Sequence, residues 1–120
     1  MRLGFEVFHP DVPAVVAFYV DALGFVAREA DDPEDYVVVE RDGVRVGCCF
    51  RADAVLTKRP VPAGSELVLR VEDVDAEHER VLASGWPIAD ELQERPWGLR
   101  DFRLFDPTGQ YLRITSTPDR

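Results

Sequence analysis

Apolar residues alternate at period two through Leu3-Gly4-Phe5-Glu6-Val7-Phe8, which predicts a strand with one buried face. The period then changes. Val12, Val15, Val16, Tyr19 and Leu23 recur at helical spacing, with Asp11 at the N-cap place before them and Gly24 as the stop after them. From Glu66 onward the order returns. Leu67, Leu69 and Val71 alternate, Asp73 stands at a second cap, and Val74, His78, Val81 and Leu82 form an apolar stripe ending at Gly85. Asp11 and Asp73 are 62 positions apart, as are Val12 and Val74, and Gly24 and Gly85 are 61 apart. Strand period, cap and stop repeat together, so the chain reads as two copies of one unit.

The later part of each unit also repeats. Tyr36 to Glu40 and Val44 to Phe50 flank Asp42-Gly43, a two-residue hairpin signal. Phe102 to Phe105 and Tyr111 to Thr115 flank Asp106-Pro107-Thr108-Gly109, which suits a three-residue hairpin loop with a bulge. The two hairpins are offset by 66. Residues 58–64, with two prolines and a glycine, read as a linker between a first half (1–57) and a second half (65–120) of a single domain. Each half is therefore βαβββ, and the class is α+β. One half buries only one sheet face under its helix. Two halves side by side predict a curved mixed sheet of about eight strands with helices on the convex side and a pocket on the concave side.

Strand alternation gives Leu3, Phe5, Val7, Leu67, Leu69, Val71, Leu112 and Ile114 to the helix-packed side. The concave side receives Gly4, Glu6, Phe8, Arg45, Cys49, Glu66, Arg70, Tyr111 and Arg113, joined by Asp101, Arg103 and Phe105 if the three-residue loop holds. Aromatic rings here can stack on a flat or cationic ligand, and carboxylates can pair with its amines. The ligand-binding candidates are thus Phe8, Phe105, Tyr111, Glu6, Glu66, Asp101, Arg113 and Cys49. The alternative is a wet face on which Arg and Glu pair with each other. Trp97, between Pro96 and Gly98 and off any core stripe, suits ligand stacking, a dimer interface or loop packing. Trp86 follows Gly85 as Phe25 follows Gly24 and reads as structural, and His78 reads as a satisfied helix residue. Cys49 would be nucleophilic only with a lowered pKa, and no His is near it in sequence, so no catalytic residue is assigned.

Composition narrows the partners. A net charge of −9 and a pI near 4.6 argue against nucleic acid and anionic membranes, and are compatible with a cationic ligand. No run approaches the roughly 18 apolar residues of a membrane span, and no signal-peptide pattern opens the chain, so the expected location is cytoplasmic. Cys48 and Cys49 are adjacent and point to opposite strand faces, so they cannot bridge each other and suit a reducing compartment.

Phe18-Tyr19-Val20-Asp21-Ala22-Leu23-Gly24-Phe25, Pro96-Trp97-Gly98 and Asp106-Pro107-Thr108-Gly109 together resemble the vicinal-oxygen-chelate superfamily of glyoxalases, dioxygenases and bleomycin-resistance proteins. The Pro-Trp-Gly segment before the last hairpin is most similar to bleomycin-resistance proteins. Metal-using relatives carry His or Glu at four places that fall here on Gly4, Gly47, Glu66 and Arg113, so neither a metal nor any other cofactor is expected. Glu66 and Arg113, on neighbouring strands, should form an ion pair instead. The resemblance implies a non-catalytic homodimer with pockets between subunits, sequestering an antibiotic or other small cationic or aromatic ligand. The alternative it implies is a glyoxalase- or dioxygenase-type enzyme, or a metal-free lyase or isomerase using Glu6 or Glu66.

Overall fold

A computed structural model describes residues 1–56 and 64–117, so the expected linker lies outside the described residues except for Gly64. Each half holds one helix and four strands. The first contains β1 (Glu6–His9), α1 (Val12–Asp21), β2 (Val26–Ala27), β3 (Tyr36–Arg41) and β4 (Val44–Phe50). The second contains β5 (Leu67–Val71), α2 (Val74–Ser84), β6 (Asp90–Glu94), β7 (Arg100–Phe105) and β8 (Tyr111–Ser116). The predicted eight strands divide into two four-stranded sheets, ordered β1-β4-β3-β2 and β5-β8-β7-β6.

The repeat persists at the level of register. In each half the first strand runs parallel to the last, with Glu6 opposite Gly47 and Val68 opposite Arg113. Those pairs are related by the same 62- and 66-residue offsets that the sequence shows. The helix starts match too: Asp11 Oδ1 accepts from Ala14 N at 3.2 Å, and Asp73 Oδ1 accepts from Ala76 N at 3.1 Å. Asp42 (φ 51°) and Gly43 (φ 81°) both adopt the left-handed conformation a two-residue hairpin needs. The second hairpin closes with Asp106 N donating to Gln110 O at 2.9 Å around a three-residue loop.

Two expectations about the faces change. Leu3 is not on the helix-packed side: β1 begins only at Glu6, and Leu3 stands before the ladder, 96% exposed. Phe5 is half-buried, its carbonyl accepting from Gly47 N. On α2, Leu82 is 56% exposed, while Glu77, one turn from both Val74 and Val81, is buried. A carboxylate can occupy that place because Arg41 of the first half and Arg80 both bond to it.

The halves join through their helix sides. Phe18 packs on Trp86 with ring centroids 4.8 Å apart, and Trp86 Nε1 donates to Phe105 O at 2.7 Å, so Trp86 is structural as expected. The Tyr19 hydroxyl donates to Asp106 Oδ2 at 2.6 Å. The Arg80 guanidinium lies 3.0 Å from where a Cβ at Gly24 would stand, so this glycine supplies both a left-handed turn (φ 70°) and room for the arginine. One core spans both halves, from Val7, Phe18 and Val46 to Val81, Phe102 and Ile114.

Candidate functional site

The outward sheet faces carry two separate groups of polar side chains. On the first half, Glu6 and Cys49 share a face as expected, and they also meet, with Cys49 Sγ 3.5 Å from Glu6 Oε2. Tyr36, not anticipated from sequence, completes this group because the hairpin register sets it opposite Cys49. A Cβ on Gly47 would lie 2.8 Å from both Glu6 Oε2 and the Tyr36 hydroxyl, so these two side chains fill the space above that glycine. A hydrogen bond to Glu6 raises the Tyr36 pKa. Burial first, and then Glu6, push the Cys49 thiol up to about 11, opposite to what a nucleophile needs. Cys48, on the other face, is fully buried. Phe8 is half exposed, and the Arg51 guanidinium sits 5.1 Å from its ring centroid. The Phe8 face therefore already carries a cation.

The second half builds an ion network. Glu66 lies just before β5, and its Oε1 is 3.3 Å from Arg113 Nε, which is the expected pair. Arg113 Nε nevertheless has no aligned hydrogen-bond acceptor among the described residues, so the contact is ionic only. Arg103, opposite Arg113 in the ladder, reaches Glu66 at 3.8 Å, Asp90 at 3.2 Å and Asp101 at 3.6 Å. Arg95 donates through Nε to Asp101 Oδ1 at 2.7 Å and through its terminal nitrogen to Asp90 Oδ2 at 2.9 Å. Asp101 is fully buried, and its Oδ2 has no hydrogen-bond partner among the described residues. Beside this network Phe105 and Tyr111 stand with centroids 5.0 Å apart, and burial raises the Tyr111 pKa.

The ion pairs of Glu66, Asp101 and Arg113 all lie within the second half, and the partners of Glu6 and Cys49 within the first. Trp97 is 56% exposed on the turn between β6 and β7, two residues after Arg95. The sequence reading missed Asp90 and Arg95 as well as Tyr36. Asp90 is aimed by a register shift in β6 that periodicity does not reveal. His78 packs edge-on against Phe102 with its Nε2 3.6 Å from Glu91, a helix residue facing its own sheet.

These donors do not fit a divalent metal. Gly4 and Gly47 offer no ligand atom, Arg113 is a fixed cation, and Glu66 is engaged by Arg103 and Arg113. Among the described residues no three His, Cys, Asp or Glu side chains cluster as a metal site would require.

Paired βαβββ units with helices packed between them and polar groups on outward sheet faces define a duplicated α+β scaffold. A family model for the glyoxalase/bleomycin resistance protein/dioxygenase superfamily matches residues 4–114, and the chain belongs to that superfamily. Among solved structures it resembles TioX from Micromonospora sp. ML1, at 24% identity over 100% of this chain and 98% of that one, with a TM-score of 0.74. It also resembles a glyoxalase/bleomycin resistance protein/dioxygenase from Alicyclobacillus acidocaldarius (17% identity, 99% and 92% covered, TM-score 0.78). A third is lactoylglutathione lyase from Agrobacterium tumefaciens (18% identity, 97% and 92% covered, TM-score 0.69). At these identities the likeness speaks for the fold. No curated protein matches the chain. No described helix is long and apolar enough to cross a membrane.

Proposed function

We propose that the protein binds and sequesters a small cationic or aromatic molecule, an antibiotic of the bleomycin class among the candidates, in the cytosol and without chemistry. The observation that carries this reading is Arg113, a guanidinium paired with Glu66 where metal-using relatives keep a ligand. The Phe105–Tyr111 aromatic pair beside a network of three carboxylates and three guanidiniums favours a ligand recognised by stacking and charge. Because the two polar faces are separate within one chain, a pocket lined by both requires two chains, the first half of one against the second half of its partner. Trp97, held off the core by Pro96 and Gly98, would close that pocket.

The test combines tryptophan fluorescence and thermal shift during titration with bleomycin and other cationic aromatic antibiotics, with a glutathione thioester-forming adduct as the contrasting ligand. Expected are saturable quenching by a cationic aromatic compound that weakens with added salt, and far less than one equivalent of transition metal by elemental analysis. Turnover of the glutathione adduct, or stoichiometric metal bound at Glu66, would overturn the reading.

A further inference from the structure

Arg95 is placed unusually for a residue of an exposed turn. It opens the Arg95-Pro96-Trp97-Gly98 turn, closed by Gly98 N donating to Arg95 O at 3.0 Å and by Arg95 N donating to Leu99 O at 2.8 Å. Trp97 on this turn faces outward, yet the Arg95 side chain folds inward over the sheet and is only 13% exposed. Its guanidinium bridges Asp101 Oδ1 and Asp90 Oδ2. The receptor is assembled by a bulge: Asp90 pairs with Arg103 and Gln93 with Asp101, so one extra residue of β6 re-aims Asp90. Gln93 Nε2 holds the other oxygen of Asp90 at 3.2 Å.

We propose that Arg95 is a built-in occupant of a guanidinium receptor formed by Asp90 and Asp101, and that a guanidinium- or amidinium-bearing ligand takes its place when the turn lifts. This deepens the proposed function by naming the ligand's cationic group. Two observations point to it independently. The fully buried Asp101 retains one oxygen, Oδ2, that no donor among the described residues reaches, so the receptor has more acceptor capacity than Arg95 uses. Charge balance gives the second. Asp90, Asp101 and Glu66 face Arg95, Arg103 and Arg113, and withdrawing Arg95 leaves a deficit of one positive charge that one planar cation restores. Arg103 cannot substitute, because it is already divided between Glu66 and the two aspartates. Trp97 rides on the same turn, so displacement of Arg95 would move the exposed indole.

The experiment is chemical rescue of Arg95→Ala with benzamidinium, using neutral benzamide at equal concentration and constant ionic strength as the control. Benzamidinium should raise the melting temperature of Arg95→Ala in a saturable way and bind it at least tenfold more tightly than the wild type. Adding Asp101→Asn should abolish the effect. No stabilisation beyond benzamide at 10 mM (an amount set by the roughly millimolar affinity of small fragments), or equal stabilisation of Arg95→Ala/Asp101→Asn, would overturn the proposal. If Arg95→Ala is unfolded alone, Arg95→Gln, which keeps the aliphatic part of the side chain but neither its charge nor its full length, is assayed the same way. Failure of benzamidinium to stabilise it is equally fatal. Rescue can succeed where no antibiotic binds, and an antibiotic can bind where rescue fails, so the two readings stand or fall separately.

Discussion

The bond between Tyr19 and Asp106 ties the first half's helix to the second half's last hairpin, and it offers the sharpest energetic test of how the halves are joined. Tyr19 is 0% exposed, and its hydroxyl donates at 2.6 Å to Asp106 Oδ2. The other oxygen accepts from Thr108 N, Thr108 Oγ1 and Gln110 N. Tyr19→Phe removes a donor to a buried carboxylate and should cost about 1.5–3 kcal/mol. That lowers the melting temperature by roughly 5–12 °C for a domain of this size. Asp106→Ala also releases the hairpin donors and orphans the phenol, for about 3–5 kcal/mol. In the double variant the shared term is counted once, so the combined loss should fall short of the sum by about 1–3 kcal/mol. The assay is equilibrium unfolding in urea with far-ultraviolet circular dichroism, together with calorimetry. Burial and then Asp106 raise the Tyr19 pKa well above its ordinary 10.0, so the native state keeps a proton that the unfolded chain loses. That contribution is present below pH 10 and is lost as the pH rises further, so Tyr19→Phe should flatten the alkaline fall in stability. A Tyr19→Phe cost below about 0.5 kcal/mol, or strict additivity in the double variant, would refute the reasoning.

Arg113→Ala should destabilise more than Arg113→Ala/Glu66→Ala, because the single change strands a largely buried carboxylate beside Arg103 alone; chemical denaturation of both variants decides it, and the reverse order would refute the pairing. Trp97→Ala should leave stability within about 1 kcal/mol of the parent while weakening binding of a cationic aromatic ligand roughly tenfold, read by calorimetric titration. With the Cys49 thiol near 11 and the Cys48 thiol near 12, alkylation by iodoacetamide should be very slow at pH 8, and stability should decline as the pH rises from about 9 toward 12. Rapid labelling of folded protein at pH 8 would contradict the raised pKa of these thiols.

The fold was legible in the sequence because the signals that carry it are local. Two aspartate caps, two left-handed turns and two alternating strands recur at fixed offsets, and neither needs knowledge of the other half. The errors fall where one half supplies what the other lacks. Glu77 could not be read as buried without Arg41, which lies 36 positions earlier, and Leu82 was credited with the core place that this ion pair holds. The Glu66–Arg113 pair was accessible because parallel register fixes it. Tyr36 could have been found by the same reasoning, being set opposite Cys49 by the Asp42-Gly43 turn. Asp90 and Arg95 had no such signal, since a bulge and an inward-folded turn side chain leave no periodic trace.

The duplicated register also lets each half serve as the control for the other. The longer second loop shifts its strands so that Phe105–Tyr111 corresponds to Glu40–Arg45, and Arg103–Arg113 to Val38–Gly47. On the helix-facing side the matched positions keep one character: Val37 and Phe102, Val39 and Leu104, Val46 and Leu112, Cys48 and Ile114 are all buried. On the outward side every matched position changes class. An ion pair at 3.3 Å between Glu40 and Arg45 becomes the aromatic pair Phe105–Tyr111, and the apolar Val38–Gly47 becomes two arginines held by carboxylates. At the position where Tyr36 leans toward Glu6, the second half has Asp101 holding Arg95. Core packing demands the same of both units, so it cannot account for the difference between their outward faces. That difference is what a site with two unlike walls would require, and it is the Asp101 wall to which the proposed guanidinium receptor belongs.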